Sequence, residues 1–391
     1  MMLRPQNVPL ALDGRMLVHG GTGVASYARA LAYAQRSLSA CALTLHDASS
    51  DGGGSGGRWG RRLRALWPGE VRIRREEDAF RAPDLFRLAQ VYFDVHRRLL
   101  PVRPPIWGGI MHWTYPVPLR ILGWRNVYTI HDAIPLTAPN LTSIDGRRHT
   151  RLLRQIAETA DMLVTVSDAA AHDITAALGI APGRIVNCSL AINLAGAPGL
   201  PPAGLPIGRY LLAIGTVEPR KNIIRLMEAH RRSGSKLPLV IAGPTGPGAE
   251  ATAIEREIAS AEQVIRLSYV AASDMPRLIA NARALVMPSL AEGFGLPVAE
   301  AMSLGTPVIT SNRGALAETA GGAALLISPE DVPAIAAAIQ RVSESDTEHA
   351  RLAQAGRDNA RRFTMAPFVE RLGTLYQSLL PPHVALDTRP E

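Results

Sequence analysis

Pro288-Ser289-Leu290-Ala291-Glu292-Gly293-Phe294-Gly295-Leu296-Pro297-Val298-Ala299-Glu300-Ala301-Met302 is the stretch on which the reading of this chain turns. The apolar run Ala284-Leu285-Val286-Met287 precedes it and reads as a buried strand. A glycine-punctuated turn follows, then a helix, with Pro297 suited to the first turn because its missing N–H costs nothing there. A helix that starts after a glycine-rich turn presents free N–H groups and a positive dipole end, which together hold an anion. Glu292 and Glu300 bracket that site with seven residues between them. Carboxylates repel phosphate but suit sugar hydroxyls, so the pattern fits a nucleotide sugar. The alternative is a glycosidase pair, one carboxyl as acid and the other as base or nucleophile. Such a pair has no need of an anion site between its members.

The stretch sits inside an alternating pattern. Tyr210 to Ile214, Leu237 to Ala242, Val264 to Leu267, Ala284 to Met287 and Pro307 to Thr310 read as strands. Helices are expected at 223–233, 249–262, 273–281 and 297–304. Residues 195–207 hold four prolines and three glycines and mark a boundary. Upstream the same alternation runs from Val8-Pro9-Leu10-Ala11-Leu12 through the glycine loop His19-Gly20-Gly21-Thr22-Gly23 into a helix at 24–38. Strands at 41–46, 126–130, 162–166 and 184–187 follow, with helices at 84–100, 147–159 and 169–178, the last capped by Ser167-Asp168. Two successive αβ halves imply an α/β chain of two Rossmann-like domains facing a cleft, with ligands at the carboxyl ends of the strands. The expected division is 1–200, 201–365, and a C-terminal helix and tail over 366–391.

Composition bounds the rest. At 391 residues, 47% hydrophobic and 19% charged, the chain is an ordinary globular one with length for two cores. No run approaches the roughly 18 apolar residues that would span a bilayer. The start lacks the apolar core of a signal peptide, so a cytoplasmic location is expected. Cys41 and Cys188 lack metal-ligand spacing and read as buried free thiols; the ten histidines form no ligand cluster, so no metal is expected. Residues 1–200 hold 23 Arg against 15 Asp and Glu, and residues 201–391 hold 17 Arg and 2 Lys against 19. The whole +8 excess lies in the first half. That half either presents a solvated arginine-rich surface or faces an anionic partner. Arg58 to Arg75, with Trp59, Leu63, Leu66 and Trp67, reads as a membrane-surface element or as a plain exposed helix. No nucleic-acid-binding motif is present.

Of 42 cationic side chains only Lys221 and Lys236 are lysine. A lysine in such a chain points to a place that wants a compact charge on a narrow stem. Lys221 follows Arg220 at a strand-to-helix junction, Gly215-Thr216-Val217-Glu218-Pro219-Arg220-Lys221-Asn222, and two adjacent cations there fit a diphosphate. His131 ends a strand beside Asp132. It reads as a structural histidine or as an imidazole aimed at a sugar, with Asp132 orienting it or capping the next turn.

Taken in order, Thr22-Gly23-Val24 with Tyr27, His131-Asp132-Ala133-Ile134-Pro135-Leu136, the turn ending at Lys221, Pro288-Ser289, Glu292-Gly293-Phe294-Gly295-Leu296-Pro297, Glu300-Ala301-Met302 and Gly305-Thr306-Pro307-Val308-Ile309 resemble retaining glycosyltransferase family 4 over nearly the whole chain. That resemblance implies a GT-B fold, acceptor domain first and donor domain second, with a C-terminal helix crossing back to the first domain. It implies a hexosyltransferase that works with retention and without a metal or other cofactor. Lys221 would neutralise the diphosphate, Glu292 contact the transferred sugar and Glu300 the ribose. N–H groups near Phe294, Gly295 and Leu296 would meet sugar or phosphate, and Val270 would lie near the base. Gly23 would approach the diphosphate from the first domain and His131 would sit beside the sugar. Where many relatives carry Arg in the turn this chain has Thr216, and Arg220 supplies the charge. The wording looks most like mannosyltransferases that use GDP-mannose, with a lipid-linked saccharide acceptor in polysaccharide biosynthesis, at the inner face of a membrane. A UDP-sugar or GDP-rhamnose donor, a GT-B epimerase and a non-catalytic sugar-binding scaffold are the alternatives.

Overall fold

The computed structural model describes residues 8–18, 23–48, 69–181, 183–192, 194 and 199–381. The glycine loop at 19–22, the basic and aromatic residues 58–68, the first four residues of the boundary at 195–198 and the tail from 382 lie outside them.

The first half builds a mixed sheet. Its strands are β1 (Leu10–Asp13), β2 (Ala42–Ala48), β4 (Arg74–Glu76), β5 (Ala79–Pro83), β7 (Ile110–Trp113), β9 (Arg125–Thr129), β10 (Met162–Thr165) and β11 (Ile185–Asn187). They lie in the order β11-β10-β9-β7-β1-β2-β5-β4, all parallel except the edge pair β4–β5. Leu10–Asp13 and Ile110–Trp113 are buried at every residue, as strands covered on both faces must be. The order reverses between β1 and β7. A separate small parallel sheet, β3 (Val71–Arg72), β6 (Leu100–Arg103) and β8 (Leu119–Ile121), has no counterpart in the sequence reading. Its strands are two to four residues long and alternate apolar with Arg or Pro. Leu100, expected at the end of a helix, instead opens β6, and the helix stops at Leu85–His96.

The second half is a six-stranded parallel sheet: β12 (Leu211–Ile214), β13 (Leu239–Ala242), β14 (Val264–Leu267), β15 (Ala284–Met287), β16 (Val308–Ser311) and β17 (Leu325–Ile327). Numbered within that half, the spatial order is 3-2-1-4-5-6 and reverses between β12 and β15. In open α/β sheets the crevice beyond such a reversal is where ligands bind. Beyond β16 the chain adds helices Gly314–Ala320, Val332–Glu344 and Asp346–Ala360, none of them expected from the sequence.

The last described helix, Met365–Ser378, returns to the first half. Phe363, Phe368, Leu372, Leu375 and Tyr376 share one buried cluster with Leu10, Tyr27, Leu31 and Leu38, and the cluster extends to Phe294. Arg371 Nε donates to the Cys188 carbonyl at 2.8 Å, and the Ile192 N–H donates to the Phe363 carbonyl at 2.8 Å. Among the described residues no helix is long and apolar enough to cross a membrane.

Candidate functional site

The site forms where the order of the second sheet reverses. Beyond β12 the chain makes a short 3-10 turn, Pro219–Lys221, and Asn222 takes a left-handed conformation (φ 59°) before the helix Ile223–Ser233. Asn222 is buried, and its Nδ2 donates to the carbonyls of Pro288 (3.0 Å) and Pro329 (2.6 Å). The Leu290 N–H donates to the Arg220 carbonyl at 2.8 Å. These bonds join the loop after β12 to the loop after β15 and bring three charges together. Lys221 Nζ donates to Glu292 Oε1 at 2.6 Å, and Arg220 Nη1 donates to Glu292 Oε2 at 2.6 Å. Arg220 Nε meets Glu218 at 2.6 Å, so two cations face two carboxylates.

Only a tenth of the Lys221 and Glu292 side chains is exposed. Burial by itself raises a carboxyl, yet the Lys221 and Arg220 charges overcome it and hold Glu292 at about 2. Burial, and then the neighbouring Arg220 charge, draws Lys221 below its ordinary value despite Glu292. Lys221 folds back against the end of β12. A Cβ at Gly215, where φ is +138°, would lie 2.7 Å from Lys221 Cε and 3.0 Å from Nζ. The sequence reading gave Lys221 and Glu292 separate ligand contacts; the structure also pairs them with each other.

The helix Leu296–Leu304 starts directly after this cluster, with Pro297 in its first turn. The Phe294 side chain is buried edge-on to Phe363 (centroids 5.2 Å, 84°), and its carbonyl accepts Thr319 Oγ1 at 2.6 Å. What this turn presents is therefore backbone. No hydrogen bond among the described residues engages the N–H groups of Phe294, Gly295 and Leu296. A Cβ at Gly23, the first residue of the helix Gly23–Leu38, would lie 3.9 Å from Leu296 Cδ2, so the starts of the two helices face each other across the halves. Glu300, four residues into its helix, has no side-chain partner among the described residues. Burial pushes its carboxyl up to about 7. Val270 lies past the end of β14, on the same carboxyl edge of the sheet and two strands from β12, half-buried beside an 83% exposed Tyr269.

The first half closes the other side. His131 Nε2 lies 2.8 Å from the Thr114 carbonyl. A carbonyl only accepts, so Nε2 carries the proton and Nδ1 keeps its lone pair. Burial lowers the His131 pKa, so the ring is neutral near pH 7. Tyr27 packs edge-on to it at 5.1 Å and 89°. Asp132 does not orient the ring: its Oδ1 accepts the Ile134 N–H at 3.0 Å and caps the next turn. The backbone of Gly293 passes so close that a Cβ there would run into the His131 carbonyl oxygen and lie 3.1 Å from Asp132 Cβ.

Two residues that sequence reasoning did not assign to the site hold this contact. Ser167 Oγ accepts the Ala170 N–H as a helix cap (3.0 Å) and also donates to the Gly293 carbonyl (2.7 Å). The Glu318 carboxylate accepts the N–H groups of Asp168 (2.8 Å) and Ala169 (2.9 Å) at the start of the helix Asp168–Leu178. A negative charge there meets the positive end of the helix. Ser167 carried a local capping signal, whereas nothing near Glu318 in sequence points to a helix 150 residues away.

Solved structures with this architecture define its class. Sucrose-phosphate synthase from Thermosynechococcus elongatus superposes with a TM-score of 0.69 at 21% identity, covering 95% of this chain and 99% of that one. HepE from Anabaena, in complex with UDP and glucose, gives 0.69 at 16% identity over 95% and 100%. The chain has the GT-B fold. Residues 207–359, which carry the charge cluster and the helix start, match the family described as Glycosyl transferases group 1. The chain is 36% identical over 237 residues to O-antigen chain mannosyltransferase B of Escherichia coli, covering 57% of this chain and 62% of that relative. It is 32% identical over 219 residues to MMP alpha-(1->4)-mannosyltransferase of Mycolicibacterium hassiacum, covering 54% and 51%. In both cases the match spans less than two thirds of the relative.

Proposed function

We propose that the chain is a retaining hexosyltransferase that moves mannose from GDP-mannose to a lipid-linked saccharide acceptor in O-antigen-type polysaccharide synthesis. The observation that carries this reading is the buried Lys221–Glu292–Arg220 cluster directly before the free N–H groups at 294–296. The names of the two mannosyltransferase relatives support the sugar. In the reaction, the bond from the anomeric carbon to the diphosphate oxygen breaks and the acceptor oxygen bonds that carbon on the same face. The acceptor proton passes to the leaving phosphate, so no base and no metal are required. Lys221, Arg220 and the N–H dipoles stabilise the charge that develops on the leaving group. Both oxygens of Glu292 are held by cations, which leaves neither available as the nucleophile of a glycosidase. With donor bound, Glu292 orients sugar hydroxyls, His131 Nδ1 accepts from another, and Glu300 accepts from the ribose.

Donor hydrolysis measured over GDP-mannose, UDP-glucose, UDP-N-acetylglucosamine and GDP-rhamnose tests the donor. GDP-mannose is expected to turn over fastest, and none of it turning over sinks that choice. Interconversion of a nucleotide sugar with no acceptor present favours an epimerase, and binding without transfer a scaffold.

Glu300 gives a pH test. The folded protein holds its proton more tightly than the unfolded chain does. The stability linked to that proton is full below the ordinary carboxylate range and is lost as pH rises through about 7. Glu300→Gln is expected to raise Tm by a few degrees at pH 8 and to leave it unchanged at pH 4. Donor affinity of the parent should fall as pH drops below about 7, and that dependence should vanish in Glu300→Gln. A pH-independent parent affinity removes the ribose role.

Contact with an anionic membrane is assigned to the basic first half. Arg72 pairs in register with Arg103 on the small sheet, Arg120 lies one strand further, and Arg103 stacks 5.7 Å over the 59% exposed Trp107. Sedimentation with anionic liposomes that weakens at high salt is expected, and salt-independent binding, or none, counts against it.

A further inference from the structure

Asp13 ends β1, the strand at which the first sheet reverses, and it is fully buried. Its Oδ1 accepts the Thr114 N–H at 2.5 Å and its Oδ2 accepts the Thr114 hydroxyl at 2.8 Å. Thr114, equally buried, follows β7 on the other side of the reversal. Its carbonyl receives His131 Nε2–H at 2.8 Å. Three neighbouring strands are thus tied at their carboxyl ends in the order Asp13, Thr114, His131.

We propose that Asp13 is a positioning residue for sugar transfer: by clamping Thr114 it holds His131 as the Nε2–H tautomer and reserves Nδ1 to accept a hydroxyl of the transferred sugar. This rests on the transferase reading above.

The chemistry of the donor and acceptor groups carries the inference. An ionised carboxylate is acceptor-only, and both its oxygens here meet a donor of one residue. Fixing the Thr114 nitrogen and hydroxyl fixes that residue's φ and χ1, and so the position of its carbonyl carbon; only rotation about ψ is left to aim the oxygen, and the bond from His131 takes that up. The carbonyl in turn selects which ring nitrogen of His131 is protonated, because only an N–H can approach it. Tyr27 removes the remaining freedom: its ring packs edge-on to the imidazole, and its hydroxyl is held 2.7 Å from Thr129 Oγ1. Burial pushes the Asp13 carboxyl up to about 7 against the pull of Thr114 and the smaller pull of the Arg15 charge. A fully buried carboxylate is a costly way to brace a strand end. At the rim of the donor cleft, two bonds from the imidazole contact, it has a use.

The test compares Asp13→Ala, Asp13→Asn and Thr114→Val in the full chain. The His131 resonances are assigned by their loss in His131→Gln, and the tautomer is read from nitrogen-15 histidine spectra. Steady-state kinetics and nucleoside diphosphate affinity are measured in parallel. The parent is expected to show the Nε2–H form. Asp13→Ala should show averaged ring nitrogens and a kcat lower by about tenfold to a hundredfold, with nucleoside diphosphate affinity unchanged because Lys221, Arg220 and the N–H groups at 294–296, to which the diphosphate is assigned, lie in the second half. Asp13→Asn should restore both, since the Thr114 hydroxyl can turn to accept from the amide. Combining Asp13→Ala with His131→Ala should cost no more than His131→Ala alone. An Nε2–H form that persists in Asp13→Ala, or additive losses in the double variant, overturns the proposal. If Asp13→Ala does not fold, Thr114→Val, which removes the hydroxyl bond to Oδ2 and keeps the N–H bond to Oδ1, is expected to shift the ring nitrogens the same way by a smaller amount, and an unchanged Nε2–H form there overturns the proposal. The tautomer is read without substrate, so it separates failure of this inference from failure of the transferase reading.

Discussion

Lys221→Ala is expected to lower kcat by about 10²–10³-fold, the cost of removing one preorganised group that meets developing negative charge. The structure adds a second cost. Lys221 and Glu292 are nearly enclosed, and losing one partner leaves a buried carboxylate with Arg220 alone. Breaking such a pair from one side destabilises by about 3–5 kcal/mol. Both effects should appear, as lost turnover at saturating donor and as a lower Tm. Lys221→Met, which keeps the stem, should recover some packing and none of the rate. Lys221→Arg is the informative variant. The lysine stem lies against the end of β12, where Gly215 leaves 2.7 Å between a notional Cβ and Cε. A planar guanidinium does not fit between that backbone and Glu292, so Arg should not rescue turnover. Lys236 is exposed, and Lys236→Arg should change nothing. Full activity in Lys221→Arg would refute the steric part of the argument; near-normal kcat in Lys221→Ala would refute the charge part.

Gly293→Ala should lower turnover by about 10²-fold through a shift of the loop of the order of 1 Å. The added methyl meets the His131 carbonyl oxygen, a backbone atom with no freedom to turn aside. Overpacking of this kind costs about 1–3 kcal/mol when the structure has to absorb it. Here the clash lies between the two halves, so separating them slightly relieves it without disrupting either core. The expected signature is a large fall in kcat with a small change in Tm, together with loss of the Ser167–Gly293 bond across the same contact. Equal falls in activity and Tm would place the strain within one half. Wild-type kinetics would show that the two halves do not meet here during turnover.

The sequence revealed chemical types far better than partnerships. Leu211–Ile214 and Ala284–Met287 are short apolar runs buried on both faces, and their strand character needs nothing beyond local composition. The left-handed Asn222 and the glycine turn before Pro297 likewise carry local signals. Lys221 stood out because lysine is scarce, and its enclosure between Gly215 and Glu292 gives that scarcity a steric reason. Its pairing with Glu292, 71 residues away, was not legible, because no periodicity links a loop after one strand to a loop after another. Glu318 and Thr114 escaped for a related reason: Glu318 acts on backbone groups of a distant element and Thr114 largely through its own, and backbone groups leave no trace in composition. The small β3–β6–β8 sheet was missed because its strands are too short to establish an alternating period.

The return of Met365–Ser378 to the first half sets a rule for recombining such proteins. Gln35 Nε2 lies 3.2 Å from the Tyr376 hydroxyl, which also sits 2.7 Å from His112 Nδ1, so the last described helix completes a polar core begun by the helix Gly23–Leu38 and β7. A chimera made by one crossover near residue 205 would join a first half from one parent to a closing helix from the other. The mismatch would fall at Gln35, His112 and Tyr376, in the interior of the first half and outside the Lys221–Glu292 cluster that the exchange was meant to alter. Grafting a new donor half therefore takes two crossovers, the second just before Phe363, so that each parent keeps the helix that seals its own interior.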